Sequence, residues 1–156
     1  MNVRFEYNFE PTGIKDIEAL EGKYNIELPE DYKTFLLEYN GGKPVIRRFS
    51  TLDDKQTSSL MLLFPLSESN EPNLEGNYME FNESKIIPSN LLPIGDDPIE
   101  NKICISLSGN DRGYIYYWSL DMEDIDEEDN LPSYKNMSLI AKSFTEFTNG
   151  LFVTEE

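Results

Sequence analysis

The chain has 156 residues, with 13 Lys plus Arg against 30 Asp plus Glu, for a net charge of −17. Such a field repels nucleic acid and anionic lipid and attracts basic partners. With no histidine and a single cysteine, Cys104, the chain lacks the parts of a Ser-His-Asp or Cys-His nucleophile system, a paired-His zinc site, an intrachain disulfide and a multi-cysteine metal site.

The hydrophobic fraction is 38% and the aromatic fraction 12%, the load of a folded core and not of a disordered chain. One domain over residues 1–156 is expected at this length, with its core within about 14–151. Residues 1–10 lack the basic-then-apolar order of a signal peptide, and the longest apolar run, 60–66, is far too short to span a membrane. The expectation is a soluble, cytoplasmic protein.

Ile14, Ile17, Leu20 and Tyr24 recur at three, three and four, which predicts a first helix entered through Pro11 and Gly13. A second helix is predicted over 29–40. Pro29 suits the first helical position, Glu30 and Asp31 favour the positive end of the dipole, and Tyr32, Phe35, Leu36 and Tyr39 form an apolar stripe. Gly41 and Gly42 then supply its left-handed cap.

Residues 44–49 and 60–66 read as strands. Residues 67–83 carry Glu68, Glu71, Glu75, Glu80 and Glu83 with no basic residue. They read as an acidic surface loop with room for one short ordered piece. The run 91–94 leads into a turn at 95–98. Residues 102–108 and 114–120, joined through Gly109 and Gly113, predict a hairpin. Ile103, Ile105 and Leu107 lie on one face of its first strand. In its second strand, Tyr114, Tyr116 and Trp118 alternate with Ile115 and Tyr117. Residues 121–130 hold seven acidic residues and read as a solvated loop. A last helix is predicted over 138–149, burying Leu139, Ile140, Phe144 and Phe147. Strands do not alternate regularly with helices, so the fold class is α+β, a mixed or antiparallel sheet flanked by helices.

No residue set assembles an enzyme. The acidic run 121–130 has no glycine at the place an EF-hand loop requires one, which leaves a solvated loop or a protein-contact surface. Asp96, Asp97 and Glu100 sit on a turn, where neighbouring carboxylates are hydrated and point apart instead of splitting their pKa values for acid–base work. Gly41-Gly42 is followed by no Lys-Ser or Lys-Thr pair, so the phosphate-loop pattern fails. Cys104 lies within an apolar strand and reads as a buried hydrophobe. Trp118 reads as core, and Arg47-Arg48 as edge-strand charge. Metal and cofactor are not expected. The residues alone lead to an acidic α+β binding or structural domain.

Segment 17–42, with Leu28-Pro29, Tyr32-Lys-Thr-Phe-Leu36 and Asn40-Gly-Gly42, resembles the N-terminal signature of the SUKH superfamily, also called the Smi/Knr family. The resemblance continues through Leu92-Pro-Ile-Gly-Asp-Asp97, Ile103-Cys-Ile-Ser-Leu107, Gly113-Tyr-Ile-Tyr-Tyr-Trp118 and Ile140-Ala-Lys-Ser-Phe-Thr-Glu-Phe147. It implies an α+β fold and one of two roles. Bacterial members are similar to immunity proteins that bind and neutralise polymorphic toxins, often nucleases. Fungal relatives regulate cell-wall synthesis, which gives the alternative of a small-ligand- or peptide-binding regulator or scaffold. Compactness and acidity fit the bacterial immunity type. No contact residue is carried over by motif. The expected partner is a basic toxin, and the expected contact residues are the acidic ones: Glu68, Glu71 and Glu75; Asp96, Asp97 and Glu100; and Asp121, Glu123, Asp124, Asp126, Glu127, Glu128 and Asp129.

Overall fold

A computed structural model describes residues 4–83, 86–119 and 137–153. In chain order its elements are β1 (Phe5–Tyr7), α1 (Ile14–Tyr24), α2 (Glu30–Tyr39), β2 (Lys43–Pro44), β3 (Arg48–Ser50), β4 (Thr57–Ser59) and β5 (Leu62–Leu63). There follow α3 (Leu74–Tyr78), a π-helical turn (Met79–Glu83), β6 (Leu91–Asp96), β7 (Lys102–Ser106), β8 (Ile115–Trp118), β9 (Met137–Ala141) and α4 (Phe144–Asn149). Strands β5 to β9 form one antiparallel sheet in sequence order, and β1–β2 and β3–β4 are separate antiparallel pairs. The fold is α+β, as expected.

The predicted hairpin is the centre of the sheet. Its alternation sorts side chains into two clusters. Ile103, Ile105, Ile115 and Tyr117 enter a large core with Leu92, Ile94 and the helices. Cys104 and Trp118 enter a small one with Phe81, Ile87 and Leu91. Helix α2 buries Tyr32, Phe35 and Leu36 in the large core, where Phe35 and Tyr32 meet the Phe144 ring at centroid distances of 4.8 and 5.1 Å. The Asp31 carboxylate accepts from the Thr145 amide and hydroxyl at 2.9 and 3.0 Å, which ties the start of α2 to the start of α4.

Several boundaries differ from expectation. Helix α2 starts at Glu30, with Pro29 as its N-cap, and Asn40 itself takes the left-handed cap conformation (φ 50°). The two glycines after it serve a different purpose. Gly42 exchanges backbone hydrogen bonds with Leu63, and a Cβ at Gly41 or Gly42 would lie 2.5 Å from a carbonyl oxygen of Leu63 or Tyr7. Only glycine lets this backbone run so close to its neighbours. On α1, Ile17 and Leu20 are buried, but Ile14, in the first turn, stays 47% exposed.

The stretch 44–49 divides into the end of β2 and the start of β3, with Val45 and Ile46 exposed between them. Of 60–66 only Leu62–Leu63 is strand. Strand β6 runs on through Gly95 and Asp96, so the turn falls after it. Residues 67–83 are not simply a surface loop. Asn73 caps α3 by accepting from the Gly76 amide at 2.8 Å, and Leu74, Tyr78 and Phe81 are buried. The predicted helix over 138–149 is a strand followed by a shorter helix. Strand β9 pairs with β8, and Ser143 caps α4 by accepting from the Glu146 amide at 3.0 Å. Leu139 and Ile140 therefore lie on the sheet, because the β8 edge offers a ladder that an isolated helical turn cannot match.

Candidate protein-contact surface

Helices α1 and α3 frame an open groove of about 640 Å³. From α1 it takes Asp16, Ala19, Leu20 and Lys23, which share a stripe because their spacings are three, four and seven. From the other wall it takes Glu68, Glu75, Gly76 and Met79. The helices are fixed to one another across it. The Lys23 ammonium lies 2.5 Å from Glu75 Oε1, and the Tyr24 hydroxyl donates to the same oxygen at 2.8 Å. Lys23, and then Tyr24, hold the Glu75 carboxyl below the usual carboxylate range, while burial and Glu75 push the Tyr24 hydroxyl up to about 12. Glu68 and Glu71 are exposed on the approach to α3. Glu75 is thus both a candidate contact residue and a structural tether.

The second expected group divides. Asp97 is 1% exposed. Its carboxylate accepts from Ser58 Oγ at 2.9 Å, from the amides of Ile99 and Asn101 at 3.1 and 2.9 Å, and from the Tyr117 hydroxyl. It pins the β6–β7 turn and β4 to the sheet, so the expected surface position is corrected to an internal hub. Satisfied buried carboxylates of this kind are structural. Asp96 is half-buried, opposite Lys102 in the β-ladder, and one of its oxygens is buried without a hydrogen-bond partner among the described residues. Burial pushes its carboxyl up to about 6, against the pull of Lys102. Glu100 is exposed at the turn with a positive φ of 68°.

Asp121, Glu123, Asp124, Asp126, Glu127, Glu128 and Asp129 lie outside the described residues. Glu68 and Glu75 meet at the groove, whereas Asp96 and Glu100 belong to the β6–β7 end of the sheet. Asp16, Ala19, Lys23 and Met79 were not anticipated. The signal for the α3 wall alone was the spacing of Leu74 and Tyr78 after a capping asparagine, amid a density of glutamates. Among the described residues no group of three His, Cys, Asp or Glu side chains is placed to hold a metal ion. No described helix is long and apolar enough to cross a membrane. The Cys104 thiol is buried, and burial pushes its pKa far up, as befits an inert core residue.

The profile of the SMI1 / KNR4 family (SUKH-1) matches residues 11–150. The chain belongs to the SMI1 / KNR4 (SUKH-1) family. No curated protein matches it in sequence. The SUKH-1 match spans α1 through α4, so it takes in both walls of the groove and the whole of the five-stranded sheet.

Proposed function

We propose that this SUKH-1 protein is a non-enzymatic immunity protein that binds and neutralises a basic toxin domain, most simply a nuclease, through an acidic surface. The observation that carries the reading is the unbalanced charge within a family member. Residues 67–83 hold five glutamates and no cation, beside an open groove, in a chain of net charge −17. A nuclease must hold a polyanion, so its substrate groove is basic, and an acidic globule can occupy or flank that groove. Complementary fields raise association rates toward about 10⁸–10⁹ M⁻¹s⁻¹ at low salt, which suits an antidote racing against damage.

Co-expression with the toxin-domain product of a neighbouring gene tests the reading. The chain rescues growth, and purified association slows steeply between about 50 and 500 mM salt, where the Debye length contracts severalfold. Failure to protect, together with failure to bind, overturns it. Binding that ignores salt favours the ligand- or peptide-binding regulator instead.

A further inference from the structure

The α1–α3 groove has features that a merely solubilising surface does not need. Its volume, about 640 Å³, lies in the range of pockets that receive side chains or small ligands. Ala19 on one wall and Gly76 on the other are the smallest residues available, and they leave the space between the helices unfilled. Leu20 and Leu66 give an apolar floor, and Met79, 48% exposed at the rim, adds a flexible apolar side chain. Among the described residues, the rim carries Asp16, Glu68 and Glu75 against Lys23.

Glu75 is already positioned. Its Oε1 accepts from both Lys23 and Tyr24, while its Oε2 has no partner among the described residues. An incoming cation therefore finds a carboxylate oxygen whose side chain is fixed beforehand, which lowers the ordering cost of binding. The Lys23 side chain is 62% exposed, so its pairing with Glu75 is screened by solvent.

We propose that this groove is the docking site for a basic segment of the protein partner, one that seats an apolar side chain between Ala19 and Gly76 and presents a Lys or Arg to Glu75 and Glu68. The proposal rests on the immunity reading for the identity of the partner, but the recognition chemistry is testable without it.

Two experiments separate the claims. In the first, the isotope-labelled chain is titrated with the blocked peptide KLRLK and followed by amide NMR. Shifts concentrate at Ala19, Lys23, Gly76 and Met79, and Ala19→Trp, which fills the groove from an exposed helical position, abolishes that pattern. Shifts spread evenly over distant acidic positions such as Glu30, Glu38 and Glu100, or no shifts at all, overturn the groove. In the second, the toxin domain encoded beside the gene is the probe. Ala19→Trp and Glu68→Lys each weaken binding by at least about tenfold, whereas Glu38→Lys, the same charge change on α2, changes it by less than about threefold. Equal losses for Glu68→Lys and Glu38→Lys, or none for Ala19→Trp and Glu68→Lys, overturn the groove and leave the immunity reading standing. If the wild-type chain ignores the toxin, the immunity reading fails and the peptide titration alone decides the groove. Glu68 is an exposed loop residue, so its variant reports even if Ala19→Trp proves unstable.

Discussion

The two faces of the central sheet solve different problems with the same strands. On one face Ile103, Ile105, Ile94 and Tyr117 meet α2 and α4 in an apolar, aromatic layer. On the other, strand β7 offers Lys102 and Cys104, and β6 offers Asp96, against Phe81 and Trp118. The Lys102 ammonium sits 4.9 Å from the Phe81 ring centre and 5.8 Å from that of Phe64. Asp96 keeps one buried oxygen unpaired, and so does Asn82 of the π-helical turn, whose amide nitrogen donates to Pro88 and Leu91. The first face therefore gains its stability from area and shape. The second holds charge in place with weaker cation–aromatic and long-range interactions, and it is the face on which truncation should cost less.

Truncation gives the largest contrast. Phe35→Ala removes a ring that touches Tyr32, Phe144, Phe5 and Tyr39. It should cost about 3–5 kcal/mol in denaturant titration, as large-to-small changes in tight cores do. Phe81→Ala, in the small cluster, should cost less, about 1–3 kcal/mol, because Phe81 is 9% exposed and its ring meets one aromatic partner among the described residues, Trp118. Equal losses would mean that the small cluster is as tightly packed as the large one, and the contrast would fail.

The next effect lies where the faces meet, at the β6–β7 turn. Asp97→Ala strands Ser58, Tyr117 and two turn amides at once. A loss of about 2–4 kcal/mol is expected, since several buried donors lose a charged acceptor together. Asp97→Asn retains part of the acceptor set and should fall between Ala and wild type. A loss below about 0.5 kcal/mol for Asp97→Ala would return Asp97 to the surface role expected for its neighbours.

These sites also show what was legible in advance. The hairpin strands and α2 were readable because period and burial coincide there: Tyr32, Phe35 and Leu36 all point into one core. The place of Asp97 is not legible, because an Asp-Asp-Pro turn looks the same in sequence whether its carboxylate faces water or a tyrosine that is 20 residues away. Leu139, Ile140, Phe144 and Phe147 fit a helical stripe in sequence, and only the pairing of β9 with β8 decides against a helix through 139–140. Helix α3 was masked by the glutamates that line it. The groove needs α1 and α3 side by side, a juxtaposition of residues about 50 apart that no local pattern encodes.

A smaller effect follows from Asp96. Its native pKa, about 6, lies above the ordinary 3.8 because burial penalises the charged form. Between those values the native state holds a proton that the unfolded chain has released, so this group makes stability fall as pH rises from about 4 through 6, with no further change above. A two-unit rise corresponds to about 3 kcal/mol at most, and partial solvent access reduces that to about 1–2 kcal/mol. Asp96→Asn, compared with wild type by urea titration from pH 4 to 8, should remove this component, and the stability difference should grow in the variant's favour across the same interval. A difference that is flat with pH would show that Lys102 neutralises Asp96 more fully than their placement implies.

The smallest expected effect comes from the groove, and it separates the tether from the binding function proposed for the same residue. The Glu75 carboxyl sits below its ordinary pKa of 4.5, chiefly through the Lys23 hydrogen bond and then that of Tyr24. The native state therefore favours the charged form, a contribution present at neutral pH and lost as pH falls below about 4.5 through the native value. Because Lys23 is largely exposed, solvent screens the pair, and Glu75→Gln should lower Tm at pH 7 by no more than about 2–4 °C. The difference should shrink as pH falls from 4.5 toward pH 3, because the wild-type carboxylate takes up a proton over that descent and loses its advantage. The same variant keeps an oxygen to accept from Tyr24 but has no charge to offer a partner's cation. A small thermal shift accompanied by a large loss of partner affinity therefore places the value of this carboxylate in binding. A large thermal shift that persists at pH 3 places it in holding α1 to α3, and the groove then owes its shape to that bridge.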